Sequence, residues 1–129
     1  MNRHPVALIV DDSMLIRHIV CRFLEERGFR VESATNGAEA LDILTRIHAN
    51  IILTDLEMPK MNGRELIRAL KASPSTAHIP VVVLTRKRYK PEETALPGAD
   101  HVIFKEGDIG PQLEKVLKAI GCQTDSPQD

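Results

Sequence analysis

An α/β domain with a doubly wound, five-stranded parallel sheet is the fold class this sequence predicts, and three observations carry the prediction. Short β-rich apolar runs alternate with segments whose apolar residues recur at helical spacing. The clearest runs are apolar without a break, as strands covered on both faces must be. Polar or charged residues stop them at their carboxyl ends, where an open sheet of this kind collects its functional groups.

The first run, Val6, Ala7, Leu8, Ile9 and Val10, stops at Asp11 and Asp12. Leu15, Ile16, Ile19, Val20, Phe23 and Leu24 then predict an apolar helix face that closes near Gly28. Residues 29–33 predict a second short strand. Asn36 with Glu39 reads as a capping box in front of Leu41, Ile43, Leu44 and Ile47. Ile51, Ile52 and Leu53 lead through Thr54 to Asp55; Pro59 and Gly63 mark a loop, and an Asn62 cap opens a helix carrying Leu66, Ile67 and Leu70. Val81, Val82, Val83 and Leu84 predict the fourth strand, ending at Thr85. Pro91 and Pro97 leave room for only a short helical stretch, so a shortened or irregular fourth helix is expected. Gly98, Ala99 and Asp100 form a turn, and residues 101–104 a last strand ending at Lys105. Gly107 and Gly110 are assigned to a turn. Pro111 is placed at the first position of the last helix, whose Leu113, Val116, Leu117 and Ile120 point inward. Residues 1–123 are taken as one domain and 124–129 as a flexible polar tail.

Composition excludes several function classes. Seventeen basic against 18 acidic residues give a formal net charge of -1, too little to steer the chain onto nucleic acid, so direct nucleic-acid binding is not expected. No apolar run approaches the roughly 20 residues that span a bilayer, and the first residues lack a secretory pattern; no membrane contact and a cytoplasmic location are expected. The two cysteines, Cys21 and Cys122, have no partner at metal-ligand spacing. His4, His18, His48, His78 and His101 are scattered, and no nucleotide fingerprint is present.

The chemistry lies at the strand ends. Asp11, Asp12 and Asp55 would repel one another unless a cation offset them, and a hard divalent ion such as Mg2+ suits an all-oxygen set. Asp55 is then a candidate nucleophile, since a carboxylate forms an acyl phosphate once a cation offsets its repulsion with phosphate oxygens. Thr85 offers a hydroxyl donor and Lys105 a positive charge. The competing readings are a plain helix cap for Asp12, a strand-end cap for Thr85 and a solvated lysine for Lys105.

The combination resembles the response-regulator receiver family, in particular its chemotaxis-type single-domain members, from Val6 to Ile120. The resemblance implies a flavodoxin-like receiver fold, with Asp11 and Asp12 as the acidic pair and Asp55 as the phosphoacceptor. The stretch Asp55, Leu56, Glu57, Met58, Pro59, Lys60, Met61, Asn62, Gly63 matches the family's phosphorylation loop. It further implies Thr85 as the switch hydroxyl, Lys105 as the family lysine, and the backbone carbonyl of Glu57 as a magnesium ligand. The chain departs from the family at four points. Arg86 stands where relatives carry a small residue; Val102 replaces the aromatic switch; Glu106 replaces a proline; and the fourth helix is curtailed. Phe104 is expected to face away from the Val102 side or into the core. Arg86, Lys87, Arg88, Tyr89 and Lys90 form a basic run, either a solvated surface or a docking site for an acidic partner or a phosphorylated kinase segment, with Tyr89 as an anchor.

A sensor histidine kinase or a histidine phosphotransfer protein is therefore expected upstream. Downstream is a protein partner or an effector domain outside this chain, reached through Thr85, Arg86, Tyr89 and Val102. The chain is expected to assist its own phosphorylation without being a turnover enzyme. The alternative is a degenerate receiver acting as a phosphorylation-independent interaction module. A magnesium-dependent phosphatase would need an acid-base group and a substrate cap, and neither is evident.

Overall fold

The computed structural model describes residues 4–86 and 98–121. Strands β1 (Val6–Val10), β2 (Arg30–Ala34), β3 (Ile51–Asp55), β4 (Val81–Thr85) and β5 (His101–Phe104) form one parallel sheet in the order β2-β1-β3-β4-β5. Helices α1 (Met14–Glu25), α2 (Gly37–Leu44), α3 (Gly63–Ala72) and α4 (Ile109–Ile120) cover its two faces. The expected doubly wound fold is present. The shortened fourth helix expected after Thr85 lies outside the described residues, as does Tyr89.

Strand alternation sorts the core into two layers. Ala7, Ile9, Ile51, Leu53, Val82, Leu84 and Ile103 meet Ile16, Val20 and Leu24 of α1 and Leu113, Val116 and Leu117 of α4. Leu8, Val10, Ile52, Val81 and Val83 meet Ala40 and Ile43 of α2 and Leu66, Ile67 and Leu70 of α3. Each central strand therefore buries both of its faces, which is why these runs carry no polar alternation.

Local details depart from the sequence-based expectation. Leu15 and Ile19 lie outside the core, 65% and 40% exposed, because α1 turns only its Ile16, Val20 and Leu24 stripe inward. Asn36 does accept the Glu39 amide, but Glu39 reaches past it to the backbone amide and hydroxyl of Thr35, so the reciprocal box is shifted by one residue. The complete capping box belongs to α3, between Asn62 and Glu65. Helix α4 begins at Ile109, so Gly110 is helical and Pro111 takes the third position. An amide there has no intrahelical partner either, and the ring is tolerated. Phe104 shares a face with Val102, since Ile103 between them takes the opposite side, and it is only half-buried.

Among the described residues, no helix is long and apolar enough to cross a membrane.

Candidate functional site

The chain reverses direction across the sheet at β1 and β3, and a crevice opens there at the strands' carboxyl ends. Asp11 follows β1, Asp55 ends β3, Thr85 ends β4 and Lys105 follows β5. A cleft of about 470 Å3 opens over them, lined by Asp12, Ser13, Asp55, Glu57, Thr85, Arg86 and Lys105. Val102 instead packs with the α2 and α3 layer.

Each group is held by its own local structure. Ser13, not Asp12, caps α1: its hydroxyl accepts the Ile16 amide at 3.3 Å, which removes the plain-cap reading of Asp12. The Asp11 amide donates to the Ala34 carbonyl at 3.1 Å, and one Asp11 carboxylate oxygen accepts the Ser13 amide at 2.8 Å. Arg17, one and a half turns along, donates to the Asp11 carbonyl at 2.7 Å. Asp55 accepts the Leu56 amide at 2.8 Å, while the buried Thr54 hydroxyl donates to its carbonyl at 2.9 Å. Lys105 is positioned through its backbone, whose amide donates to the Thr85 carbonyl at 2.8 Å. A step earlier, the Gln112 side chain brackets Phe104, accepting its amide at 2.9 Å and donating to its carbonyl at 2.8 Å.

Two close approaches shape the loop after β3. An ideal Cβ on Gly63 would lie 2.2 Å from the Asp55 carbonyl oxygen, so only glycine lets α3 start against the strand end. Lys60 sits at φ 68, in the left-handed region that side chains rarely adopt.

Charge is concentrated and incompletely balanced. The Lys105 ammonium lies 2.6 Å from Asp11 Oδ2 and 3.3 Å from Asp55 Oδ1, and both the lysine and Asp11 are buried. Asp11 Oδ2 receives no directed hydrogen bond and relies on that ion pair alone among the described residues. Burial and then the Asp11 charge push the Asp55 carboxyl above the ordinary carboxylate range, against the pull of Lys105. Ligand oxygens of Asp11, Asp12 and Asp55 lie within 4.8 Å of one another. Three hard oxygen donors, one of them buried and under-satisfied, fit a divalent cation.

A family model for the response regulator receiver domain matches residues 7–118. The chain belongs to that family. Receiver domains are not conventional turnover enzymes, and the acidic cluster around Asp55 supports a phosphoacceptor role. Among relatives, chemotaxis protein CheY-3 of Vibrio cholerae is 32% identical over 126 residues, 93% of this chain and 97% of that protein. The gliding motility regulatory protein of Myxococcus xanthus is 36% identical, but the match spans 14% of that protein, against 88% of this chain. Among solved structures, chemotaxis response regulator CheY4 of Vibrio cholerae superposes with a TM-score of 0.84 at 30% identity, covering 92% of this chain and 99% of that one.

The structure brings together Asp11, Asp12, Asp55, Thr85 and Lys105, with Glu57 and Arg86 on the rim. Ser13, Arg17 and Gln112 were not read as site residues, and Gly63 was placed in the phosphorylation loop without its close approach to the Asp55 carbonyl. A serine directly before an apolar helix is a cap signal that could have found Ser13. Arg17 and Gln112 act through contacts that appear only once the chain is folded.

Proposed function

We propose that this receiver is a phosphoryl-accepting switch in a two-component phosphorelay, with a histidine kinase or a histidine phosphotransfer protein as donor. The reading is carried by one observation: three carboxylates and a buried lysine converge at the carboxyl ends of β1, β3 and β5. An Asp55 oxygen attacks the phosphorus of phosphohistidine; the new O–P bond forms as the N–P bond breaks, and the imidazole nitrogen leaves with the electron pair. Lys105 offsets charge on the phosphoryl oxygens and Thr85 donates a hydrogen bond to one of them. Asp12, Asp55 and the Glu57 backbone carbonyl would hold magnesium directly, and Asp11 through water. When bound, the ion supplies the counter-charge that lets a carboxylate meet an anionic donor.

Residues 1–123 form the working unit in this reading, with 124–129 as a polar tail, and the protein acts in the cytoplasm. Output runs from Thr85 and Arg86 into the segment containing Tyr89, toward a downstream protein or an effector domain outside this chain. Val102 has no ring to rotate, so no aromatic switch takes part.

Treatment with acetyl phosphate followed by intact-mass measurement tests the reading. The chain should gain a single phosphoryl group only with magnesium present, and Asp55→Asn should gain none. An undiminished adduct on Asp55→Asn rejects the assignment. No adduct on the unsubstituted chain leaves the phosphorylation-independent interaction module in its place.

A further inference from the structure

The cleft contains a cation that this chemistry does not use. Arg86 follows β4 and lines the same opening as Asp55, Thr85 and Lys105, but from the exposed rim. Lys105 is already engaged below, against Asp11 at 2.6 Å and Asp55 at 3.3 Å. A phosphoryl group brings roughly two negative charges to a site that already holds several carboxylates. A guanidinium presents a planar fork matched to two phosphate oxygens, and an exposed one can turn toward them without a burial cost.

We propose that Arg86 holds the phosphoryl group on Asp55 and lengthens the life of the acyl phosphate. The proposal rests on the phosphoacceptor reading and adds to it a residue that sets the timing of the signal. Decay is attack by water: the water oxygen bonds to phosphorus, the P–O bond to Asp55 breaks, and Asp55 keeps the electron pair as a carboxylate. The water's proton passes to solvent and inorganic phosphate leaves. Attack must come in line, from the side of phosphorus opposite the Asp55 oxygen. Asp55 is buried on the cleft floor and Arg86 is exposed at its rim, so that side faces the mouth where Arg86 stands. A guanidinium clasping the outer oxygens occupies the water's approach.

The full chain and its Arg86→Ala and Arg86→Lys variants are phosphorylated with acetyl phosphate and magnesium, freed of donor, and followed by intact mass as the adduct decays. Arg86→Ala should shorten the half-life roughly fivefold, equivalent to about 1 kcal/mol in the barrier. Arg86→Lys, which keeps the charge without the fork, should fall between. Raising the salt should speed decay in the unsubstituted chain but not in Arg86→Ala, because an exposed cation is screened. Equal or longer half-lives in Arg86→Ala overturn the proposal while leaving Asp55 as the acceptor. Absence of any adduct on the unsubstituted chain removes the phosphoacceptor reading and this proposal with it.

Discussion

Burial pushes the Asp55 carboxyl upward, the Asp11 charge adds to the rise, and the Lys105 ammonium opposes it. The folded chain therefore binds a proton at Asp55 more tightly than the unfolded chain does. As pH rises from the ordinary carboxylate range through the folded value, stability is lost, and above that value the full penalty of a buried charge remains. Asp55→Asn should accordingly stabilise the metal-free protein at neutral pH. The expected gain is roughly 3–6 °C in Tm, the response of a domain this size to about 1 kcal/mol. It should shrink as pH falls into the range where Asp55 is protonated in both states. Added magnesium should raise the Tm of the unsubstituted chain more than that of the variant. Thermal melts across pH, with and without the ion, measure both effects, and an unchanged or lower Tm for Asp55→Asn at neutral pH contradicts the account. Asp11, Asp12, Asp55, Thr85 and Lys105 were legible beforehand because each follows or ends a short apolar-rich strand, where a parallel sheet presents its groups. Arg17 was not, because its bond to the Asp11 carbonyl is made through the folded turn and leaves no trace in residue spacing.

At the scale of elements, the start of α3 shows how backbone and site are joined. Its complete capping box, with the Glu65 amide 2.9 Å from Asn62 Oδ1 and the Asn62 amide 2.9 Å from Glu65 Oε1, satisfies two of the helix's unpaired donors. Asn62→Ala should cost about 1 kcal/mol. Gly63→Ala should cost more, about 3 kcal/mol or above, because its Cβ meets backbone at 2.2 Å and neither β3 nor α3 can yield cheaply. Gly107 provides the contrast: at φ 89 its Cβ would meet nothing within 4 Å, so Gly107→Ala carries only conformational strain of about 1 kcal/mol. Denaturant unfolding of the three variants tests the ranking, and a Gly63→Ala no worse than Gly107→Ala would contradict the close approach. The strands and helix positions were readable from apolar spacing. That spacing could not tell which flank of α1 is covered, and so Leu15 and Ile19 read as core while α4 packs only beside the Ile16 stripe. The extra residues at the start of α4 were hidden for a similar reason, since glycine and proline mark turns as readily as first helical turns.

Across the whole molecule, the strand order divides the site unequally. Asp11 and Asp55 belong to the central strands β1 and β3, whereas Thr85 and Lys105 stand on the β4 and β5 side, joined by the Lys105 amide at 2.8 Å from the Thr85 carbonyl. In the proposed reading, a phosphoryl group that draws the Thr85 hydroxyl and the Lys105 ammonium toward itself would pull on two neighbouring strand ends at once. Strand β2 lies beyond β1, and neither it nor its crossover helix α2 supplies a group lining the cleft. A phosphoryl group shifts a conformational balance only through contacts that differ between the two arrangements, and the proposed output route puts those contacts on the β4 and β5 side. Backbone amide NMR of the magnesium-bound chain, before and after phosphorylation, should show shifts at Thr85, Arg86, Phe104 and Lys105 that continue into residues 87–97. The amides of β2 and of the carboxyl-terminal half of α2 should stay in place. Shifts confined to Asp11, Asp12, Asp55 and their immediate loops, with 86–97 silent, would show that this half of the sheet does not carry the signal.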